Sequence, residues 1–141
     1  MDWWCSRPGA GLAAQPNRLD VSAWTAELAA VAAAAVAKDR ADLESDADPI
    51  HPARIYGELG PRLADDAVVI GDGGDFVSFA GKYVEPARPG RWLDPGPYGC
   101  LGTGPGYALV AGIAHPGSPV FLLLGDGAAG FSLMDVDSLV R

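Results

Sequence analysis

Long apolar runs, paired cysteines and clustered cations are all missing from this sequence, and each absence closes off a class of function. No stretch reaches the ~18–20 apolar residues that a membrane-spanning helix requires. The N-terminal MDWWCSRPGAG carries an early Asp2 and no apolar core, so it does not read as a secretion signal and a cytoplasmic protein is the expectation. Only Cys5 and Cys100 occur, far apart and without a Cys-X-X-Cys pair, so free thiols are expected. Ten Lys and Arg against 18 Asp and Glu leave a formal net charge of −8. Scattered cations on so acidic a chain argue against nucleic acid or an anionic membrane as a partner, since either would repel it.

Several catalytic signatures are absent too. A Walker loop needs Gly-Lys-Ser/Thr, and no lysine follows any of the glycine-rich turns in this way. Gly102-X-Gly104-X-Gly106 breaks the dinucleotide spacing, which wants two residues between the second and third glycines. There is no Gly-X-Ser-X-Gly elbow, and His51 and His115 each precede a proline, where a turn role is expected. A zinc site is not supported.

What is present suits a globular domain: 141 residues, 49% hydrophobic and 20% charged, enough for a real core. Residues 1–20, rich in Gly, Pro and Ala without a period, read as a poorly ordered leader. Residues 21–48 read as an Ala-rich linker helix, with Ser22 as N-cap and Trp24, Leu28 and Val31 on one stripe. The turn cluster DADPIHP (46–52) should end that helix, and an α/β domain is expected over 49–141. Pro52 suits a helix start, with Ile55, Leu59 and Leu63 on one face and Gly60-Pro61 weakening the last turn.

Three short apolar runs follow: Ala67 to Ile70, Arg91 to Leu93, and Pro119 to Leu124, the last apolar on both faces as in a parallel sheet. Helices are expected over Phe76 to Tyr83, from about Leu101 to Ala114, and from Ser132 to Val140. Strands alternating with helices describe a layered α/β fold with a parallel sheet. Each run leads into a glycine-rich turn, Gly71 to Asp75, Gly96 to Gly106 and Gly125 to Gly130, and in a parallel sheet such turns gather at the C-terminal edge where ligands bind.

The third turn carries the most chemistry. In VFLLLGDGAAGFSLMD (120–135) a buried strand stops at Gly125-Asp126-Gly127. Backbone donors at a strand end, an electropositive helix start and a carboxylate are together what a metal–diphosphate group needs. Val120 to Arg141, with DGGDF (72–76) and YGCLGTGPGYA (98–108), resembles the C-terminal cofactor domain of thiamine-diphosphate-dependent enzymes. The acetolactate synthase large-subunit type is the nearest branch; oxalyl-CoA decarboxylases and 2-hydroxyacyl-CoA lyases are near relatives. The resemblance covers about residues 49–141 and implies a three-layer thiamine-diphosphate-binding fold, cut short at its C-terminal end and preceded by the Ala-rich helix.

Residue by residue, the resemblance implies that Asp126 is a Mg²⁺ ligand and that Gly127 and Ala128 donate N–H groups to the diphosphate. Gly73, Gly74, Asp75 and Phe76 would wrap the diphosphate from the other side. Gly99 would accept, through its carbonyl, from the amino group of the cofactor. Leu101 stands where a bulky apolar residue is wedged beneath the thiamine to hold it bent, which brings the amino group to the reactive ring carbon.

Departures from the pattern are equally definite. Phe76 replaces a polar residue, Asp75 adds a negative charge beside an anionic diphosphate, and Asp135 stands where Glu is common. A second metal ligand, an Asn beyond the Gly-Asp-Gly, falls outside the given sequence, as do the domain bearing the activating glutamate and the flavin-binding middle domain. The expectation is therefore a fragment: the thiamine diphosphate and Mg²⁺-binding portion of an enzyme that condenses 2-keto acids with decarboxylation, in branched-chain amino acid biosynthesis. No residue here would be the main acid or base, and the isolated chain would be inactive. Expected partners are a small 2-keto acid in the full enzyme, and a homo-oligomer or complementing subunit supplying the glutamate. A related lyase acting on acyl-CoA substrates and a non-catalytic binding remnant are the alternatives.

Overall fold

The computed structural model describes residues 19–140. The expected leader therefore lies almost wholly outside the described residues, as does Arg141. The chain divides into two compact units between Lys38 and Asp39.

Helix α1 spans Ser22–Leu43. Alanine at most positions gives it helix propensity without a hydrophobic face, and none of its residues is buried. Trp24, Leu28 and Val31, expected to form a packing stripe, are all exposed. Ser22 is the first helical residue rather than the cap. The Asp20 carboxylate accepts the Ser22 N–H at 3.0 Å, and the Ser22 side chain, with that backbone bond second, holds Asp20 below the usual carboxylate range.

After a cis Asp48-Pro49 bond, α2 (Pro52–Leu59) begins with proline in its first turn, and His51 Nδ1 accepts the Ala53 N–H at 3.3 Å. The turn role expected of His51 is thus a helix cap. The buried face of α2 is Ala53 and Tyr56, not the expected Ile55–Leu59–Leu63 row. Leu59 and Leu63 still pack at the edge of the core, whereas Ile55 turns outward. At Gly60 the backbone tightens into a 3₁₀ turn, Gly60–Arg62, as Gly60-Pro61 foretold.

The sheet has three parallel strands, β1 (Val68–Asp72), β2 (Trp92–Leu93) and β3 (Val120–Leu124), in the order β2-β1-β3. β1 is buried along its whole length. Its register with β3 runs from Val68↔Val120 to Asp72↔Leu124, so the two strands end side by side.

Alternation places β-strand residues on two faces. Val69 and Leu123 meet Tyr56 of α2 and Phe76, Phe79 and Ala80 of α3 (Gly74–Tyr83). Val68, Ile70, Val120 and Leu122 meet Ala108 and Ala111 of α4 (Gly104–Ala114). Helices on both faces of a parallel sheet make three layers, as the sequence implied. β3 is apolar on both faces but only half-buried, because among the described residues it pairs with β1 alone.

Two element boundaries differ most from expectation; smaller shifts start α3 at Gly74 rather than Phe76 and carry β1 to Asp72 rather than Ile70. α4 begins at Gly104 rather than near Leu101, because Gly99 and Gly102 adopt positive φ (60° and 84°), which a continuous right-handed helix excludes. The single helix expected over Ser132 to Val140 is instead α5 (Asp126–Ser132), a 3₁₀ turn (Leu133–Asp135) and α6 (Val136–Val140). α5 thus starts at the Asp126 turn itself.

Candidate functional site

The site is built at the paired ends of β1 and β3. From Asp72 the chain turns at Gly73, φ 90°, into α3; from Leu124 it turns at Gly125 into α5. Neither helix start is capped by a side chain. The first-turn N–H groups of both helices therefore lack intrahelical acceptors and carry the positive end of the helix dipole.

The remaining glycine turn, Gly96 to Gly106, is brought to the same edge by the Asp72 carboxylate. Its Oδ1 accepts the Gly102 N–H at 3.0 Å and its Oδ2 the Gly104 N–H at 2.7 Å. Before it, Asp94 shapes the loop by accepting from Trp92 Nε1 and the Gly96 N–H, both at 2.6 Å.

Where the expected site residues stand follows from these tips. A Cβ built on Gly73 would lie 3.0 Å from Ala128 Cβ and 3.2 Å from Leu101 Cδ2, so all three turns meet at one point. Asp75, Phe76, Gly125 and Asp126 line a cleft of about 450 Å³, whose apolar wall comes from Ile50, Ile55 and Phe79. Gly74 and Gly127 are exposed, with open space where a side chain would project. Gly99 is exposed in the left-handed region (φ 60°, ψ 35°), and neither it nor Leu101 lines the cleft. Asp75 and Asp126 are exposed carboxylates in the first turns of α3 and α5.

Three residues that frame the site were not singled out from the sequence. Asp72 was visible only as the first letter of DGGDF; an acid closing an apolar strand before two glycines was the available signal. Gly104 was read as a failed dinucleotide motif, yet a Cβ there would lie 2.8 Å from Asp72 Oδ2. Tyr56, buried, donates its hydroxyl to the Phe76 carbonyl at 2.9 Å, and nothing in the sequence marked it. Burial raises the Tyr56 hydroxyl above its ordinary pKa.

The donor set fits a diphosphate: two helix starts at adjacent strand tips have no side-chain cap, which leaves their first-turn backbone N–H groups without intrahelical acceptors. For a divalent cation the protein contributes less. Among the described residues no three His, Cys, Asp or Glu side chains gather as a metal cluster, so Asp126 could give one ligand and phosphate, carbonyl or water oxygens the rest.

Residues 72–141 match the family described as thiamine pyrophosphate enzyme, C-terminal TPP binding domain. The chain is 51% identical over 122 residues to a probable acetolactate synthase of Mycobacterium bovis, and equally to the acetolactate synthase large subunit IlvG of Mycobacterium tuberculosis. That alignment takes in 86% of this chain and 22% of each relative. Human 2-hydroxyacyl-CoA lyase 2 is 43% identical over 95 residues, 67% of this chain and 15% of that protein. The chain thus spans about a fifth of the length of the acetolactate synthase relatives it matches.

Proposed function

Residues 72–141 belong to the thiamine pyrophosphate enzymes through their C-terminal TPP-binding domain, and from that premise we propose that this chain holds thiamine diphosphate through Mg²⁺ as the cofactor portion of an acetolactate synthase-like enzyme. The cofactor, when bound, supplies an electron sink for the decarboxylating condensation of 2-keto acids. The chain's own work is to bind and orient. Asp126 would offer carboxylate oxygen to the cation, and Gly127 and Ala128 would donate their N–H groups to the diphosphate. The turn at Gly73, Gly74, Asp75 and Phe76 donates from the opposite strand tip. Gly99 would present its carbonyl, and Leu101 its side chain, to the thiamine end.

No residue of this site is placed as principal acid or base. The activating glutamate comes from a second subunit or another part of a longer protein, so the 141-residue chain alone forms no acetolactate. The protein works in the cytoplasm as a homo-oligomer or with a complementing subunit. The likeness to human 2-hydroxyacyl-CoA lyase 2 supports a second reading, a lyase acting on acyl-CoA substrates with the same cofactor grip.

The observation that carries the proposal is the meeting of the three turns at Gly73, Leu101 and Ala128. Calorimetric titration of the full chain with thiamine diphosphate and Mg²⁺ tests it. Saturable binding that disappears in Asp126→Ala is the expected result; no binding, or binding indifferent to Asp126, would overturn it.

A further inference from the structure

Asp72 is 0% exposed and ends the central strand, where a carboxylate without partners would be costly to bury. Both its oxygens are matched by backbone N–H groups, Gly102 at 3.0 Å and Gly104 at 2.7 Å, some thirty residues along the chain. Bonds from neutral amides to an ionised acceptor are among the stronger hydrogen bonds in proteins.

The loop fits this acceptor closely. Gly104 must lack a side chain, since a Cβ would lie 2.8 Å from Asp72 Oδ2 and 2.6 Å from Leu122 Cδ1. Gly102, at φ 84°, would bring a Cβ to 2.7 Å from Phe131 Cβ. The residue just before this clamped pair is Leu101, against Gly73, and Gly73 follows Asp72 directly. One side chain therefore fixes the Gly96–Gly106 turn to the tip of β1.

Resting on the thiamine diphosphate reading above, we infer that Asp72 is a positioning residue: its carboxylate latches the loop so that Gly99 and Leu101 stand at the thiamine end of the cofactor. The hydrogen bonds of the Asp72 carboxylate go to Gly102 and Gly104 and not to the starts of α3 and α5, so the latch governs the thiamine end and not the diphosphate end. An asparagine at this place keeps the size of the side chain but accepts with one atom only. Its amide hydrogens would face a backbone N–H, donor against donor, and one bond of the latch must open.

The test titrates the full chain, wild type and Asp72→Asn, with thiamine diphosphate plus Mg²⁺ and separately with inorganic pyrophosphate plus Mg²⁺. The wild type is expected to bind both. Asp72→Asn should lose about tenfold or more in affinity for thiamine diphosphate while keeping pyrophosphate affinity within about twofold. Unchanged thiamine diphosphate affinity, or parallel losses for the two probes, overturns the latch. A wild type that binds neither probe overturns the cofactor reading itself, a separate outcome. Should Asp72→Asn fail to fold, amide exchange on the wild type decides. Gly102 and Gly104 protected like Val69 and Ile70 support the latch, and exchange as fast as at Cys100 overturns it.

Discussion

Gly73 and Ala128 approach so closely that a methyl group on the glycine would lie 3.0 Å from the alanine Cβ, while Gly73 itself sits at φ 90°. Two separate penalties therefore await Gly73→Ala: backbone strain in a region L residues avoid, and crowding against α5. Together they should lower stability by about 2 kcal/mol or more. Adding Ala128→Gly removes the crowding against α5 but leaves the strain and the Leu101 contact at 3.2 Å, so the double variant should recover only part of the loss. Urea midpoints of the wild type, Gly73→Ala, Ala128→Gly and the double variant measure both terms; full recovery would show that φ at this turn costs nothing.

Tyr56 links α2 to the start of α3 by donating to the Phe76 carbonyl. Tyr56→Phe removes that bond and should cost about 1 kcal/mol. The same residue gives a pH signature. Burial raises its folded pKa above the unfolded value near 10, so the unfolded chain loses the proton first. The resulting contribution is fully present below the unfolded pKa and is lost as pH rises through the folded one. Chemical denaturation across pH 8 to 11 should show the wild type losing stability faster than Tyr56→Phe at the alkaline end.

The chain's layered α/β class and its three strands were legible because parallel strands buried on both faces are written as plain apolar runs, and β1 and β3 are such runs. The glycine turns were legible for a related reason, since positive φ at Gly73, Gly99 and Gly102 leaves glycine as the residue of choice. Long-range partnerships were not. Asp72 finds its acceptor role with Gly102 and Gly104, and Tyr56 its bond to Phe76, only after the chain has folded. The α2 face was misread because Ala53, a small residue with little hydrophobic signal, is buried while Ile55 turns to the cleft.

Apolar side chains cover the outer surface of α4 and the segment after α5: Ile113, Met134 and Val140 are 75%, 84% and 82% exposed, with Phe131 beside them in sequence. β3 also pairs on one side only among the described residues. Exposed apolar surface and an open strand edge both favour association. The 141-residue chain should therefore show concentration-dependent self-association by sedimentation. Ile113→Lys combined with Met134→Lys should move the population toward monomer with little change in melting temperature. Sedimentation as a monomer at all concentrations would contradict this.

Asp75 and Asp126 line one cleft, each in the first turn of a helix that offers N–H groups to an anion. Their expected effects on a bound diphosphate are opposite in sign. Asp126 is proposed to reach the anion through a cation, whereas Asp75 adds negative charge to the same cleft without a metal partner. In the presence of chelator, Asp75→Asn should bind pyrophosphate more tightly than the wild type, by about fivefold at low salt, and the gain should shrink as ionic strength rises. With Mg²⁺ restored, Asp126→Asn should lose the metal-dependent part of the affinity while Asp75→Asn keeps it. Titrations of both variants with and without Mg²⁺ separate the roles. Equal metal dependence in both would mean that the cation is not held by Asp126, leaving the two helix starts as the whole of the grip.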